Sequence, residues 1–211
     1  DNGYDLTDLI NELSKIEDLL RIRISSIEIT ELNDKFLNML STNKKVCDHL
    51  HIPLQAGSDE ILKKMNRKYD LKYYKEKIKK IRMIRPNISI TTDIIVGFPY
   101  ETDKLFNETL EFSRKMNFSK IHVFPYSIRL GTSAANMPNQ VDESIKKERV
   151  KKLMDLSETM EKEYYNKFVG KELDILVEEC DNNVSIGHSS NYLMIRLNEK
   201  LEVGQIYKRI I

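Results

Sequence analysis

From Ile88 to Val96 the chain reads Ile-Ser-Ile-Thr-Thr-Asp-Ile-Ile-Val, a run so rich in β-branched residues that it suits a strand buried on both faces. Such a strand belongs in a parallel sheet covered by helices, and the flanking sequence agrees. Before it, Leu71–Ile84 carries Tyr74, Ile78 and Ile81 at helical spacing, and Pro86 closes that helix. After it comes a Gly97-Phe98-Pro99-Tyr100-Glu101-Thr102 loop, and Thr102 or Asp103 caps another helix through Met116.

The same alternation extends in both directions. Asp5 is a plausible N-cap, with Asp8 three residues on, for a helix bearing Leu6, Leu9, Ile10, Leu13, Ile16 and Leu20. Arg21–Ile27 reads as a strand ending at Glu28, and Leu32, Phe36, Leu37 and Leu40 mark the next helix. His49–Leu54 is a strand broken by Pro53, running into Gln55-Ala56-Gly57-Ser58 and a short helix over Asp59–Asn66. Lys120–Tyr126 is the fourth strand, and Glu143–Phe168 a long helix with Ile145, Val150, Leu153, Met154 and Met160 at core spacing. This is an α/β chain with the pattern of a partial βα (TIM-like) barrel. Its first helix has no strand to feed it, and there is no initiating methionine. The chain therefore reads as a piece of something longer, with at least one strand missing upstream.

From Gly170 the pattern changes to short strands (172–177, 184–187, 192–197 and 205–211) separated by polar turns, which suggests a small antiparallel β-barrel or sandwich. The expected division is 1–169 for the barrel part and 170–211 for the β domain, which is short for a complete barrel.

In parallel βα folds ligands sit at the carboxyl ends of the strands. Those ends supply Ser25, Ser26 and Glu28; Gln55, Gly57 and Ser58; Asp93, Gly97 and Glu101; and Tyr126, Ser127 and Arg129. They are donors, acceptors and close-approach glycines without an evident nucleophile–base pair, an inventory better suited to binding a polar cofactor than to unaided acid–base catalysis. A net charge of +1 gives no global case for nucleic acid. Locally, Lys63-Lys64, Arg67-Lys68, Lys72, Lys75, Lys77, Lys79-Lys80, Arg82 and Arg85 form a dense basic run, by default a solvated face and alternatively a phosphate-backbone surface. Cys47 and Cys180 fit no metal-ligand spacing and suggest a reducing, cytoplasmic setting. No apolar run approaches the roughly 20 residues that span a bilayer. His49 and His51 point to one face of a strand and, with Asp93 and His122, invite a metal-dependent hydrolase reading. Their place at the start of the strand, away from the ligand-binding loops, favours ordinary core histidines.

Three stretches carry a resemblance: His49–Tyr69, Thr92–Thr102 and His122–Thr132. His-Leu-His-Ile-Pro-Leu-Gln-Ala-Gly-Ser, Thr-Asp-Ile-Ile-Val-Gly-Phe-Pro-Tyr-Glu-Thr and His-Val-Phe-Pro-Tyr-Ser-Ile-Arg-Leu-Gly-Thr closely resemble the radical S-adenosylmethionine (SAM) methylthiotransferases. Ile-His-Val-Phe-Pro-Tyr-Ser looks most like the branch acting on threonylcarbamoyl-adenosine in tRNA, and the segment after Gly170 resembles the TRAM domain that grips RNA. The resemblance implies an enzyme that adds a methylthio group at the C2 carbon of the modified adenosine beside the anticodon. It implies SAM and two 4Fe–4S clusters as cofactors, and tRNA and an N-terminal cluster-binding region as partners. The family's Cys-x₃-Cys-x₂-Cys loop is not in this stretch, and neither cysteine matches a family ligand, so the chain by itself is expected not to cleave SAM. Ser26, Glu28, Gln55, Arg67, Asp93, Gly97 and Phe124 fall where the family lines its SAM pocket. Tyr100 stands where the family usually has glycine, Ala56 for a serine, and Ile29 and Ser133 for prolines. An RNA-binding module without chemistry of its own, and the metal-dependent hydrolase, are the alternatives.

Overall fold

The computed structural model describes residues 3–211. Asp5 caps α1 (Leu6–Leu13): its carboxylate accepts from the Asp8 amide at 3.1 Å, while the Asp8 carboxylate accepts from the Asp5 amide at 3.0 Å. The helix is shorter than its apolar spacing predicts. Only Ile10 of that series is buried, and Leu9, Ile16 and Leu20 are exposed.

Four parallel strands follow in chain order: β1 (Ile22–Ile24), β2 (Val46–His51), β3 (Ser89–Val96) and β4 (Lys120–Pro125). The connections carry α2 (Asp34–Thr42), α3 (Asp59–Lys64), α4 (Leu71–Ile84) and α5 (Asp103–Met116). Side chains alternate across each strand. Leu50, Ile90, Ile94 and Ile121 face the helices and are buried with Phe36, Tyr74, Ile78 and Phe118. The opposite, concave face carries Arg23, His49, His51, Thr91, Asp93 and His122. This is the α/β, barrel-like sheet expected from the alternation.

β2 begins three residues earlier than the sequence suggests, because Val46 pairs with Ile22 of β1. Beyond Pro53 the chain returns to the sheet for one bridge, Gln55 to Ile94, with Gln55 in the left-handed region at φ 69°. Gly57 then packs against α5: a Cβ there would lie 2.6 Å from Thr109 Cα, so the glycine is required by helix packing. Ser58 likewise turns to α5, where its hydroxyl donates to the Glu108 carboxylate at 2.9 Å.

α6 (Glu143–Asn166) packs on β4 with a face that only partly matches the expected one: Leu153 and Met160 are buried as expected and Val150 partly so. Ile145 and Met154 are exposed, whereas Lys146, Arg149, Leu153, Leu156, Ser157 and Met160 are buried. The helix is turned by polar partners: Arg149 bonds Glu101 and Asp103, and the Ser157 hydroxyl accepts from the Ile121 amide.

The C-terminal segment forms a four-stranded antiparallel sheet, ordered β7 (Met194–Leu197), β6 (Val184–Ser189), β5 (Glu172–Asp181), β8 (Ile206–Ile210). Its core of Ile175, Leu193 and Ile195 continues into Tyr164 at the end of α6 and Phe168 just beyond it. The β6–β7 turn docks under the parallel sheet. Asn191 donates to the Tyr164 hydroxyl at 3.2 Å, the Asp48 amide donates to Ser190 Oγ at 3.1 Å, and Arg21 donates to the His188 and Asp174 carbonyls. No helix among the described residues is long and apolar enough to cross a membrane.

Candidate cofactor site

At the carboxyl ends of the strands lies an upper cavity of about 500 Å³. Four of the seven residues expected in a SAM pocket line it: Gln55, Arg67, Asp93 and Phe124. Glu28 joins them through Arg67, whose Nη1 lies 3.1 Å from the Glu28 carboxylate. Ser26 is exposed and lines neither this cavity nor the lower one described below. Gly97 is buried behind the wall, at φ 74°. A Cβ on it would lie 2.4 Å from Cγ of Lys146, so the close approach that demands glycine is made by α6.

The cavity is polar in a specific way. Arg67 Nε and the Tyr126 hydroxyl are buried and have no hydrogen-bond partner in the protein. Buried polar atoms without partners are uncommon, and two on one cavity wall are suited to a ligand with several acceptors and donors. Phe98 and Tyr126 meet edge to face at 5.1 Å and stiffen the same wall, while Phe124 is half exposed at the mouth. The residues present therefore fit a polar, partly aromatic cofactor such as SAM.

The loop beside the cavity is tied from below. The Gly97 amide donates to Glu101 Oε1 at 2.7 Å, and Arg149 donates to the same oxygen at 2.9 Å, with both side chains almost fully buried. Burial pushes the Glu101 carboxyl up, against the opposing pull of the Gly97 amide and the Arg149 guanidinium. Tyr100, in place of the family's glycine, keeps the left-handed turn at φ 70°. Its amide donates to the Asn139 carbonyl at 2.9 Å, and the Lys64 ammonium lies 3.8 Å from its ring centre. A tyrosine in that conformation is strained by about 1–2 kcal/mol. Tyr100→Gly is expected to leave the urea midpoint unchanged or raise it slightly, because relief of strain offsets the lost cation–π contact and the more flexible unfolded chain.

Beneath Asp93, a lower cavity of about 620 Å³ is lined by His49, His51, His122, Arg23 and Tyr192 among others. The histidine pair occupies the second half of β2, with His51 as its last residue, rather than the start of the strand. His49 Nε2 and His51 Nδ1 both bond Thr91 Oγ1, at 3.0 and 2.9 Å, and His51 Nε2 lies 3.1 Å from Asp93 Oδ2. Burial, then the charge of Arg23, lowers the His49 pKa to about 3. Burial also lowers that of His122. Among the described residues no group of three His, Cys, Asp or Glu side chains could hold a metal ion. Cys47 is buried, which pushes its thiol up, and Cys180 lies in the other sheet. These cysteines do not fit an iron–sulfur cluster.

Sequence reasoning missed Lys146, Arg149 and Tyr192. The first two were legible in principle, since 146, 149, 153, 156 and 160 follow a single helical stripe with Leu153, Leu156 and Met160. Tyr192 had no such signal. It sits at φ 62°, stacked on His188 at 4.3 Å and tilted against His49 at 4.8 Å, with the Arg23 guanidinium 3.3 Å from its ring centre.

Comparison with known proteins identifies the family. The radical SAM superfamily matches residues 1–113. The threonylcarbamoyladenosine tRNA methylthiotransferase MtaB of Bacillus subtilis is 41% identical over 198 residues, covering 91% of this chain and 44% of that protein. The MtaB of Aquifex aeolicus is 40% identical over 211 residues, covering 100% of this chain and 50% of its own length. A tRNA-2-methylthio-N(6)-dimethylallyladenosine synthase of Desulfitobacterium hafniense is 42% identical over 178 residues, covering 84% and 40%. The chain thus spans half or less of the length of these relatives. Coproporphyrinogen III oxidase from Escherichia coli, described as a radical SAM enzyme, shares the fold with a TM-score of 0.56 at 19% identity, over 66% of this chain and 32% of its own. The resemblance read from the three motifs holds, and the chain belongs to the radical SAM superfamily.

Proposed function

We propose that this chain is the SAM-pocket and RNA-facing part of a tRNA-modifying radical SAM methylthiotransferase, with the upper cavity as its cofactor site. The observation that carries the reading is the pair of orphaned polar atoms, Arg67 Nε and the Tyr126 hydroxyl, on a cavity at the strand ends where the family motifs converge. When bound, SAM supplies the methyl group and the radical chemistry. The chain's own residues bind and orient it. Arg67 and Tyr126 offer donors, Asp93 and Glu28 acceptors, Gln55 both, and Phe124 and Phe98 apolar walls. No step is assigned to a cluster, because the cysteines present do not fit one. Residues 1–169 are taken as the barrel part and 170–211 as a TRAM-like RNA-binding unit in a cytoplasmic enzyme.

Relatives of both tRNA branches match at nearly equal identity, 41% and 42%, so overall similarity does not choose between them. The Ile121–Ser127 motif favours threonylcarbamoyl-adenosine next to the anticodon. Lys63, Lys68, Lys72, Lys75, Lys79 and Lys80 are all exposed, which supports a phosphate-contacting surface. Equilibrium dialysis with radiolabelled SAM tests the cofactor reading: saturable binding is expected, weakened about tenfold or more in Arg67→Met. Binding that is absent, or unchanged in Arg67→Met, would overturn it. Gel-shift titration with anticodon stem-loops tests the branch, the threonylcarbamoylated loop binding more tightly than the dimethylallylated one. After iron–sulfur reconstitution the chain alone is expected to form no 5′-deoxyadenosine.

A further inference from the structure

The concave face of the sheet holds a chain of close polar contacts, His49–Thr91–His51–Asp93: Thr91 hydrogen-bonds both histidines, and His51 makes a charge contact with Asp93. A carboxylate has no proton to offer, and a bare nitrogen lone pair 3.1 Å from Asp93 Oδ2 would be repelled, so in the neutral ring the proton belongs on His51 Nε2. His51 Nδ1 is then an acceptor, and the Thr91 hydroxyl donates to it at 2.9 Å. With its proton so directed, Thr91 Oγ1 accepts from His49 Nε2–H at 3.0 Å. The remaining atom, His49 Nδ1, is left as a bare lone pair. It is buried and has no partner, which fits a lone pair better than an unpaired N–H. Every proton in the chain is thus accounted for, and all of them point toward Asp93.

Asp93 lines both cavities. Its Oδ2 lies 3.1 Å from His51 Nε2 in a charge contact, while Oδ1 makes no hydrogen bond among the described residues. We propose that His51 is a positioning residue that pins one oxygen of Asp93 to the sheet and leaves the other as a fixed acceptor for an ammonium or hydroxyl group of the ligand in the upper cavity. Thr91 and His49 act behind it, fixing the His51 ring and tautomer. The base of the chain is itself anchored, since Tyr192 packs on the His49 ring. A free aspartate side chain would lose rotamer entropy on binding a ligand, and an oriented one has already lost it. The proposal rests on the reading of the upper cavity as a SAM site.

Calorimetric titration of SAM into His51→Leu, His51→Gln, Asp93→Asn and the His51→Leu/Asp93→Asn double variant tests it, with thermal melts confirming that each is folded. Asp93→Asn is expected to weaken binding about tenfold or more, and His51→Leu several-fold to tenfold. His51→Gln keeps an N–H for Asp93 and should stay within about threefold of the unmodified chain. Because His51 acts through Asp93, the double variant should bind no more weakly than Asp93→Asn alone. Penalties that add, or a His51→Leu variant that binds like the unmodified chain, would overturn the proposal while leaving the SAM site standing. No binding by the unmodified chain would overturn both. Histidine-nitrogen NMR gives a readout independent of the cofactor: both His49 and His51 are expected as Nε2–H tautomers, and an Nδ1–H tautomer at His51 would contradict the chain's direction.

Discussion

Arg149→Met is expected to destabilise the folded chain by about 3–5 kcal/mol, the usual effect of removing one partner from a buried ion pair. Arg149 is the hub under the cavity loop: it bonds the Glu101 carboxylate at 2.9 Å, the Glu101 carbonyl at 3.0 Å and Asp103 at 2.8 Å. Without it Glu101 becomes a buried carboxylate holding only the Gly97 amide, and its second oxygen is already without a partner. Urea denaturation measures the loss. The double variant Glu101→Gln/Arg149→Met should recover part of it, because a neutral amide no longer requires a buried counter-charge. A drop below about 1 kcal/mol in the single variant would mean that the knot contributes little.

Acid should weaken the fold through His49. The side chain is 1% exposed and its folded pKa is about 3, against roughly 6.5 for an unfolded histidine. The unfolded chain therefore takes up a proton that the native chain refuses. His49 contributes no penalty above about pH 6.5, and from there down toward pH 3 stability is lost at up to about 1.4 kcal/mol per unit. Urea midpoints taken between pH 7 and pH 5 should fall more steeply in the unmodified chain than in His49→Gln, whose amide can still donate to Thr91 but does not titrate. Glu101 works in the opposite sense, since its raised pKa favours the protonated form on folding. The difference between the two proteins isolates the His49 contribution.

What could be read from the chain, and what could not, follows from how local each determinant is. β3 was legible because Ile88–Val96 states its burial in its own residues, and α5 because Thr102 and Asp103 supply the cap and first turn where the helix begins. The buried face of α6 is legible only in part: Leu153 and Met160 are core, but Ile145 and Met154, which look like core, are exposed. Lys146 and Arg149 are buried instead because Gly97, Glu101 and Asp103, nearly fifty residues away, give them room and partners. The start of β2 was misplaced because Val46 is claimed by pairing with β1, which no local pattern announces. At the strand ends, Gln55 and Asp93 from the strand-end rule and Arg67 and Phe124 from the family resemblance line one cavity. Gly97 and Gly57 were read as ligand-approach glycines because a glycine's need for space is visible in sequence and the occupant of that space is not. Tyr192 was invisible for a related reason: left-handed turns are usually occupied by glycine or asparagine, and this one holds a tyrosine between two histidines.

The two cavities share Asp93 but differ in their methionines, Met65 lining the upper and Met194 the lower. Methyl-labelled methionine NMR during a SAM titration therefore locates the cofactor directly. The upper cavity as cofactor site requires the Met65 resonance to shift saturably while Met194 and the core residue Met39 stay still. A saturable shift at Met194 with Met65 unmoved, or no shift at either, would contradict it.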